Sequence, residues 1–161
     1  MTEKPLFTFG DLTAVAADLN QASDDLTQIV TTVDSSLLRL NIGIAVWVEI
    51  SKTFDESTPY LFEVEQLGYA KTEGNWGLTI RRLTGSINNP DNSKVRDVWV
   101  FNDAPRRLRL RAVEKLPELI DELTKSAQRT AERLKKKLAE TRAYAASIGL
   151  LQSNDAKGDK S

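Results

Sequence analysis

The sequence predicts an α+β fold, a four-stranded antiparallel β-meander flanked by a long N-terminal helix and a long, proline-kinked C-terminal helix. Three changes of pattern predict it. Apolar residues recur at steps of three and four from Leu12 to Leu40, then alternate with period two between Ile42 and Phe101. They return to helical spacing from Leu110 onward. Steps of three and four line one face of a helix and period two lines one face of a strand, so each switch marks an element boundary. The resulting bounds are a single α+β domain over residues 1–148, with a helix over 10–40, strands within 42–101 and a helix over 104–148. Residues 149–161 are expected to form a disordered, polar tail.

Thr8-Phe9-Gly10-Asp11 is a helix start, with Thr8 or Gly10 at the cap and Asp11 where the helix dipole favours an acid. Beyond it Leu12, Val15, Leu19, Ala22, Leu26, Ile29, Val33, Leu37 and Leu40 approximate a heptad seam, flanked by Asp11, Asp18 and Asp25 seven residues apart. Such a seam either packs on the chain's own core or joins two chains. As a self-association seam its members would be Leu12, Leu19, Leu26 and Val33.

Ile42, Ile44, Val46, Val48 and Ile50 share one side of the first expected strand. The second runs from about Tyr60 to Lys71. Its apolar phase slips by one residue between Val64 and Leu67, which predicts a bulge near Glu65-Gln66 or two partly covered faces. Thr72-Glu73-Gly74-Asn75 turns the chain, with Gly74 able to take positive φ. A tight turn there sets Lys71 opposite Trp76, Tyr69 opposite Leu78 and Leu67 opposite Ile80. Gly68, Ala70, Gly77 and Thr79 then line the other face, with Gly43 and Ala45 beside them. On this smooth strip a helix is expected to pack, with a groove for a flat ligand as the alternative.

Ser86 to Ser93 is polar and turn-forming, so it is expected as a mobile loop before a fourth strand, Val95 to Phe101. Asp103 is the expected cap and Pro105 a first-turn residue of the last helix, Pro117 the point where it kinks or restarts, and Gly149 its terminator.

Composition narrows the chemistry. The 161 residues contain neither cysteine nor histidine. Disulfides, thiolate metal sites and every Ser-His or Cys-His arrangement are therefore excluded. No phosphate-binding loop occurs. Carboxylates are the remaining acid–base candidates: Glu63 with Glu65 on one strand face, and Glu49 with Asp97 from separate strands. A carboxylate-bound Mg²⁺ enzyme is the weakest of three functional readings.

Charge is distributed unevenly. Residues 1–103 hold 8 Lys and Arg against 15 Asp and Glu, a balance of −7, whereas residues 104–148 hold 12 against 6, a balance of +6. Arg106, Arg107, Arg109 and Arg111 cluster at the start of the last helix, and Lys125, Arg129, Arg133 and Lys137 form an i, i+4 stripe along it. These eight are candidate contacts for nucleic acid or an acidic partner. The sequence pI of about 5.6 and the lack of interleaved aromatics disfavour nucleic acid. Trp47, Tyr69, Trp76 and Trp99 fall on strands and are candidate partner anchors if exposed.

The leading expectation is a non-enzymatic protein–protein interaction module, an adaptor, assembly or regulatory factor. It would self-associate through its helical seam, as a dimer first, and bind another protein. No catalytic residue, metal or cofactor is assigned. The first residues show no secretory leader and the longest apolar run is too short to span a bilayer, so a cytoplasmic location with no membrane partner is expected.

Overall fold

The computed structural model describes residues 3–151; Gln152 to Ser161, the bulk of the expected disordered tail, lie outside the described residues. The element order is α1 (Phe9–Arg39), β1 (Val46–Phe54), β2 (Leu61–Thr72), β3 (Asn75–Ser86), β4 (Asn89–Val100), α2 (Arg106–Val113) and α3 (Leu116–Ser147). The four strands form one antiparallel meander in the order β1-β2-β3-β4.

Helix α1 opens on a capping box: the Thr8 N–H donates to Asp11 Oδ2 at 2.7 Å, and the Asp11 N–H donates to Thr8 Oγ1 at 3.2 Å. It ends as Asn41 enters the left-handed region at φ 50°. Gly43 follows at φ 63°, a conformation that breaks the pleat. Residues 42–45 therefore lead to the sheet rather than belong to it. The first strand starts at Val46, four residues later than the alternation of isoleucines predicts, and continues to Phe54.

The β2–β3 hairpin has the expected register, Lys71 with Trp76, Tyr69 with Leu78 and Leu67 with Ile80. Both Glu73 (φ 50°) and Gly74 (φ 88°) take positive φ, the two-residue turn whose twist matches the flanking strands. The bulge lies across from the expected place. Strand β2 pairs with β3 without interruption, and the extra residue is Ile50 of β1, between the pairs Glu49–Gln66 and Ser51–Glu65. The phase slip within β2 reflects its two covered faces: Val64 is buried on one, Leu67 and Tyr69 on the other.

The expected loop over 86–93 is instead a hairpin. Ile87 and Asn88 form the turn, and Asn89 already pairs with Ser86. Part of the loop character survives as an irregularity, because β3 needs two residues to go from Thr84 to Ser86 while β4 uses five between Asn89 and Lys94. Pro90 is tolerated there because β4 is an edge strand.

The C-terminal helical region is two helices. Phe101–Asp103 make a single 3₁₀ turn, Pro105 rather than Asp103 occupies the cap of α2, and the chain breaks at Glu114-Lys115. Pro117 sits in the first turn of α3, where its missing N–H leaves no bond unmade, so it restarts a helix instead of kinking one. Gly149 closes α3 at φ 80°.

Helix α1 lies on β3, and α3 on β1 and β2. The core joins Leu67, Tyr69, Leu78 and Ile80 of the sheet to Val30 and Leu37 of α1, Leu108 and Ala112 of α2, and Leu119 and Leu123 of α3. This is the face opposite the smooth strip. The helices thus leave uncovered the face on which one was expected, because Leu67, Tyr69, Leu78 and Ile80 offer far more apolar area than glycines do. The Trp47 ring takes the helix's place: a Cβ at Gly68 would overlap it. Arg81 stacks on the outer side of that ring, 3.7 Å from its centroid. Gly43 and Ala45 precede the strand and are not part of the strip.

Candidate interaction surface

The seam of α1 divides into two parts. Toward its C-terminal end Leu26, Val30, Val33 and Leu37 pack into the core. Val30 is the member that a seam drawn through Ile29 misses; Ile29 and Leu40 face solvent. Toward the N-terminal end Leu12, Val15 and Leu19 are 60%, 63% and 49% exposed, and Phe9 beside them is bare. Of the four residues assigned to self-association, Leu12 and Leu19 are therefore free, while Leu26 and Val33 are partly spent on the chain's own core.

Helix α3 is its mirror in this respect. Leu116, Leu119 and Leu123 hold its first turns to the body, and every residue from Ala131 to Tyr144 is exposed, including Leu134 and Leu138. The two long helices do not pack along each other, and among the described residues no ion pair joins them.

The eight basic candidates do not form one surface. Those on α2 are engaged locally. Arg106 donates to Asn20 Oδ1 and Arg109 to Thr27 Oγ1, both at 3.2 Å, which ties α2 to α1. Arg111 pairs with Glu65 at 2.9 Å. Arg107 is exposed. On α3, Lys125 pairs with Asp121 and Glu122, and Lys137 with Glu140, whereas Arg129 and Arg133 make no ion pair among the described residues.

The aromatic candidates are not free anchors. Tyr69 is buried and stacks on Trp76 with 5.6 Å between centroids. Trp76 and Trp99 pack against the core, and Trp47 lies half-buried beneath Arg81.

The carboxylates meet guanidinium groups. Arg82 reaches Glu63 at 3.3 Å, and Glu65 and Asp97 at 3.2 Å each. Arg96 pairs with Glu63 at 3.1 Å, and Arg111 with Glu65. Three acids thus face three arginines where the helix-covered sheet face turns from apolar to charged. Burial works to release the Arg82 proton, but the hydrogen bond to Glu65 and the charges of Glu63, Glu65 and Asp97 outweigh it and hold the group above its usual range. Such a charge-paired cluster ties β2, β3, β4 and α2 together. Glu49 and Asp97 are not brought together: Glu49 pairs with Gln66 on the opposite sheet face, with β2 and β3 between β1 and β4. Sequence reasoning missed Arg82, although the hairpin register already places it opposite Glu65.

One half-buried acid serves the architecture directly. Asp34 of α1 accepts the Leu78 N–H at 2.8 Å, beyond the end of β4, where that donor has no strand partner. Burial raises the Asp34 carboxyl above the ordinary aspartate value of 3.8, and the Leu78 hydrogen bond pulls it partly back. A raised value means that the fold accommodates the neutral form better. The corresponding stability is full below about 3.8 and is lost as pH rises through the folded-state value. Asp34→Asn keeps the acceptor without the charge. Its stability should equal or exceed that of the wild type at pH 7, with the difference closing as pH falls toward 4. Asp34→Leu orphans the Leu78 N–H and should be less stable by about 1–3 kcal/mol at either pH. Urea midpoints at the two pH values check this, and an Asn variant as unstable as the Leu variant would refute it.

A cleft of about 560 Å³ opens at the end of the sheet away from Asp34, between Phe54, Phe62, Thr84, Gly85 and Lys94. It is broad and open. Among the described residues no group of three acidic side chains could hold a metal ion, and no helix is long and apolar enough to cross a membrane. Comparison with family models, curated proteins and solved structures finds no match to this chain.

Proposed function

We propose that this chain is a non-enzymatic interaction module, an adaptor, assembly or regulatory factor of the cytoplasm, that self-associates through the bare face of α1. One observation carries the reading. The face that takes Val30 and Leu37 into the core continues along the same helix as Leu12 and Val15, both well exposed, and Leu19, half-exposed beside Arg106 and Leu110 of α2. A stripe of this kind in water favours a partner, since burying a leucine is worth about 1.5–3 kcal/mol.

Light scattering after size exclusion should show a dimer that survives high salt. Leu12→Lys combined with Leu19→Lys should weaken it about a hundredfold or more, because two buried leucines are forfeited. Far-ultraviolet circular dichroism should be unchanged, as both side chains are exposed in the isolated chain. A folded variant with wild-type mass at all concentrations would sink the interface.

Nucleic acid is the second reading, supported by Arg129, Arg133, Lys135 and Lys136, which make no ion pair among the described residues. Binding of that kind would fall steeply with salt, and undetectable affinity for duplex DNA and RNA at low salt would remove it.

A further inference from the structure

We infer that the bare face of α1 is covered by the distal half of α3 from a second copy of the chain, and that the exchange is reciprocal, giving a two-fold dimer with two identical α1–α3 contacts. This deepens the self-association reading and rests on it. Three observations point to α3 of a partner, and the last of them favours it over a second α1.

The first is length. Residues 9–22 of α1 and 131–144 of α3 are exposed throughout, and each stretch is about 20 Å long at 1.5 Å per residue. The second is the state of the two faces. On both helices the bare stripe continues the face that is buried at the other end: Leu12 and Leu19 extend the line of Val30 and Leu37, and Leu134 and Leu138 that of Leu116 and Leu123. Within one chain the helices do not pack along each other, so neither stripe covers its neighbour.

Charge decides between the partners. Residues 9–22 contain Asp11 and Asp18 and no Lys or Arg, and Asp25 extends the series at the same spacing of seven. Residues 131–144 contain five Lys or Arg against two Glu. At 100° per residue Arg133 lies on one side of the Leu134–Leu138 stripe, and Lys135 and Arg142 on the other. None of these three makes an ion pair among the described residues. Two copies of α1 would set carboxylates against carboxylates, whereas α1 against α3 sets carboxylates against unpaired cations. Opposite charges flanking an apolar seam are what select a partner helix. A two-fold axis then makes the contact twice, which closes the assembly at two chains.

The test is charge exchange read by light scattering at low ionic strength. One chain carries Asp18→Lys and Asp25→Lys, which leaves the Thr8–Asp11 capping box intact; another carries Arg133→Glu, Lys135→Glu and Arg142→Glu. Each alone should dimerise about tenfold more weakly or worse. An equimolar mixture should recover the dimer, because both contacts in the mixed pair again join opposite charges. One chain carrying both sets should also recover it. A wild-type monomer, or a dimer indifferent to Leu12→Lys with Leu19→Lys, overturns the self-association reading itself. If those leucine changes break the dimer while the α3 reversal leaves it intact, α1 meets something other than α3, and the present inference alone falls. Folded single-set chains that fail to recover on mixing overturn it as well.

Discussion

Leu119→Ala should lower the stability of the isolated chain by about 2–5 kcal/mol, and Leu134→Ala should change it by less than about 0.5 kcal/mol. Both leucines lie on α3, fifteen positions apart on a helix with no break between them. Helical propensity is equal at the two sites, so the difference isolates tertiary packing. Leu119 is fully buried in the cluster with Val48, Leu67 and Leu108, and its truncation removes transfer free energy and leaves a cavity lined by side chains from several elements. Leu134 is 65% exposed. Urea denaturation should shift its midpoint for Leu119→Ala with an unchanged slope. The Leu134 substitution has a second signature. If α3 covers a partner's α1, its effect grows with chain concentration, since association stabilises only the folded state. Equal losses at both positions in dilute solution would mean that the distal half of α3 is packed within one chain.

How far the fold was legible follows from which forces are local. The β2–β3 hairpin register was readable because Glu73-Gly74 fixes a two-residue turn and the alternation on either side then has one solution. The two long helices were readable from periodicity and from Thr8, Pro117 and Gly149. The placement of the helices on the sheet was not. Gly68, Ala70 and Gly77 looked like a bed for a helix, but the space over Gly68 is filled by Trp47 from the adjacent strand, and an indole neighbour is a non-local fact. The bulge went to the wrong strand for a related reason: a phase slip reads alike whether it comes from an inserted residue or from two covered faces. In α1 the periodicity located a stripe without revealing where the sheet beneath it ends. That boundary, between Leu19 and Leu26, divides core from candidate interface.

The charged cluster yields the other large effect. Arg82→Met should destabilise the chain by about 2–4 kcal/mol at neutral pH. Methionine keeps much of the aliphatic stem, so the loss reports the guanidinium. Arg82 is three-quarters buried and, among the described residues, is the one group that touches Glu63, Glu65 and Asp97 together, with Glu65 the least exposed of the three acids. Its removal leaves three carboxylates near one another, with Arg96 still on Glu63 and Arg111 on Glu65, both of them more exposed. Exposed pairs contribute about 0–1 kcal/mol and cannot take over its part, whereas stranding a partly desolvated acid carries the penalty of burial without its counter-charge. The fully buried case costs about 3–5 kcal/mol, and the residual exposure here places the expectation just below it. Two further measurements separate charge from packing. Adding Glu65→Gln to Arg82→Met should recover part of the loss, because the innermost stranded charge is gone. Raising the ionic strength should narrow the gap to the wild type by screening the remaining repulsion. A double variant no better than the single one, together with a salt-independent deficit, would assign the effect to packing around Trp99, whose ring centroid lies 5.5 Å from the guanidinium carbon.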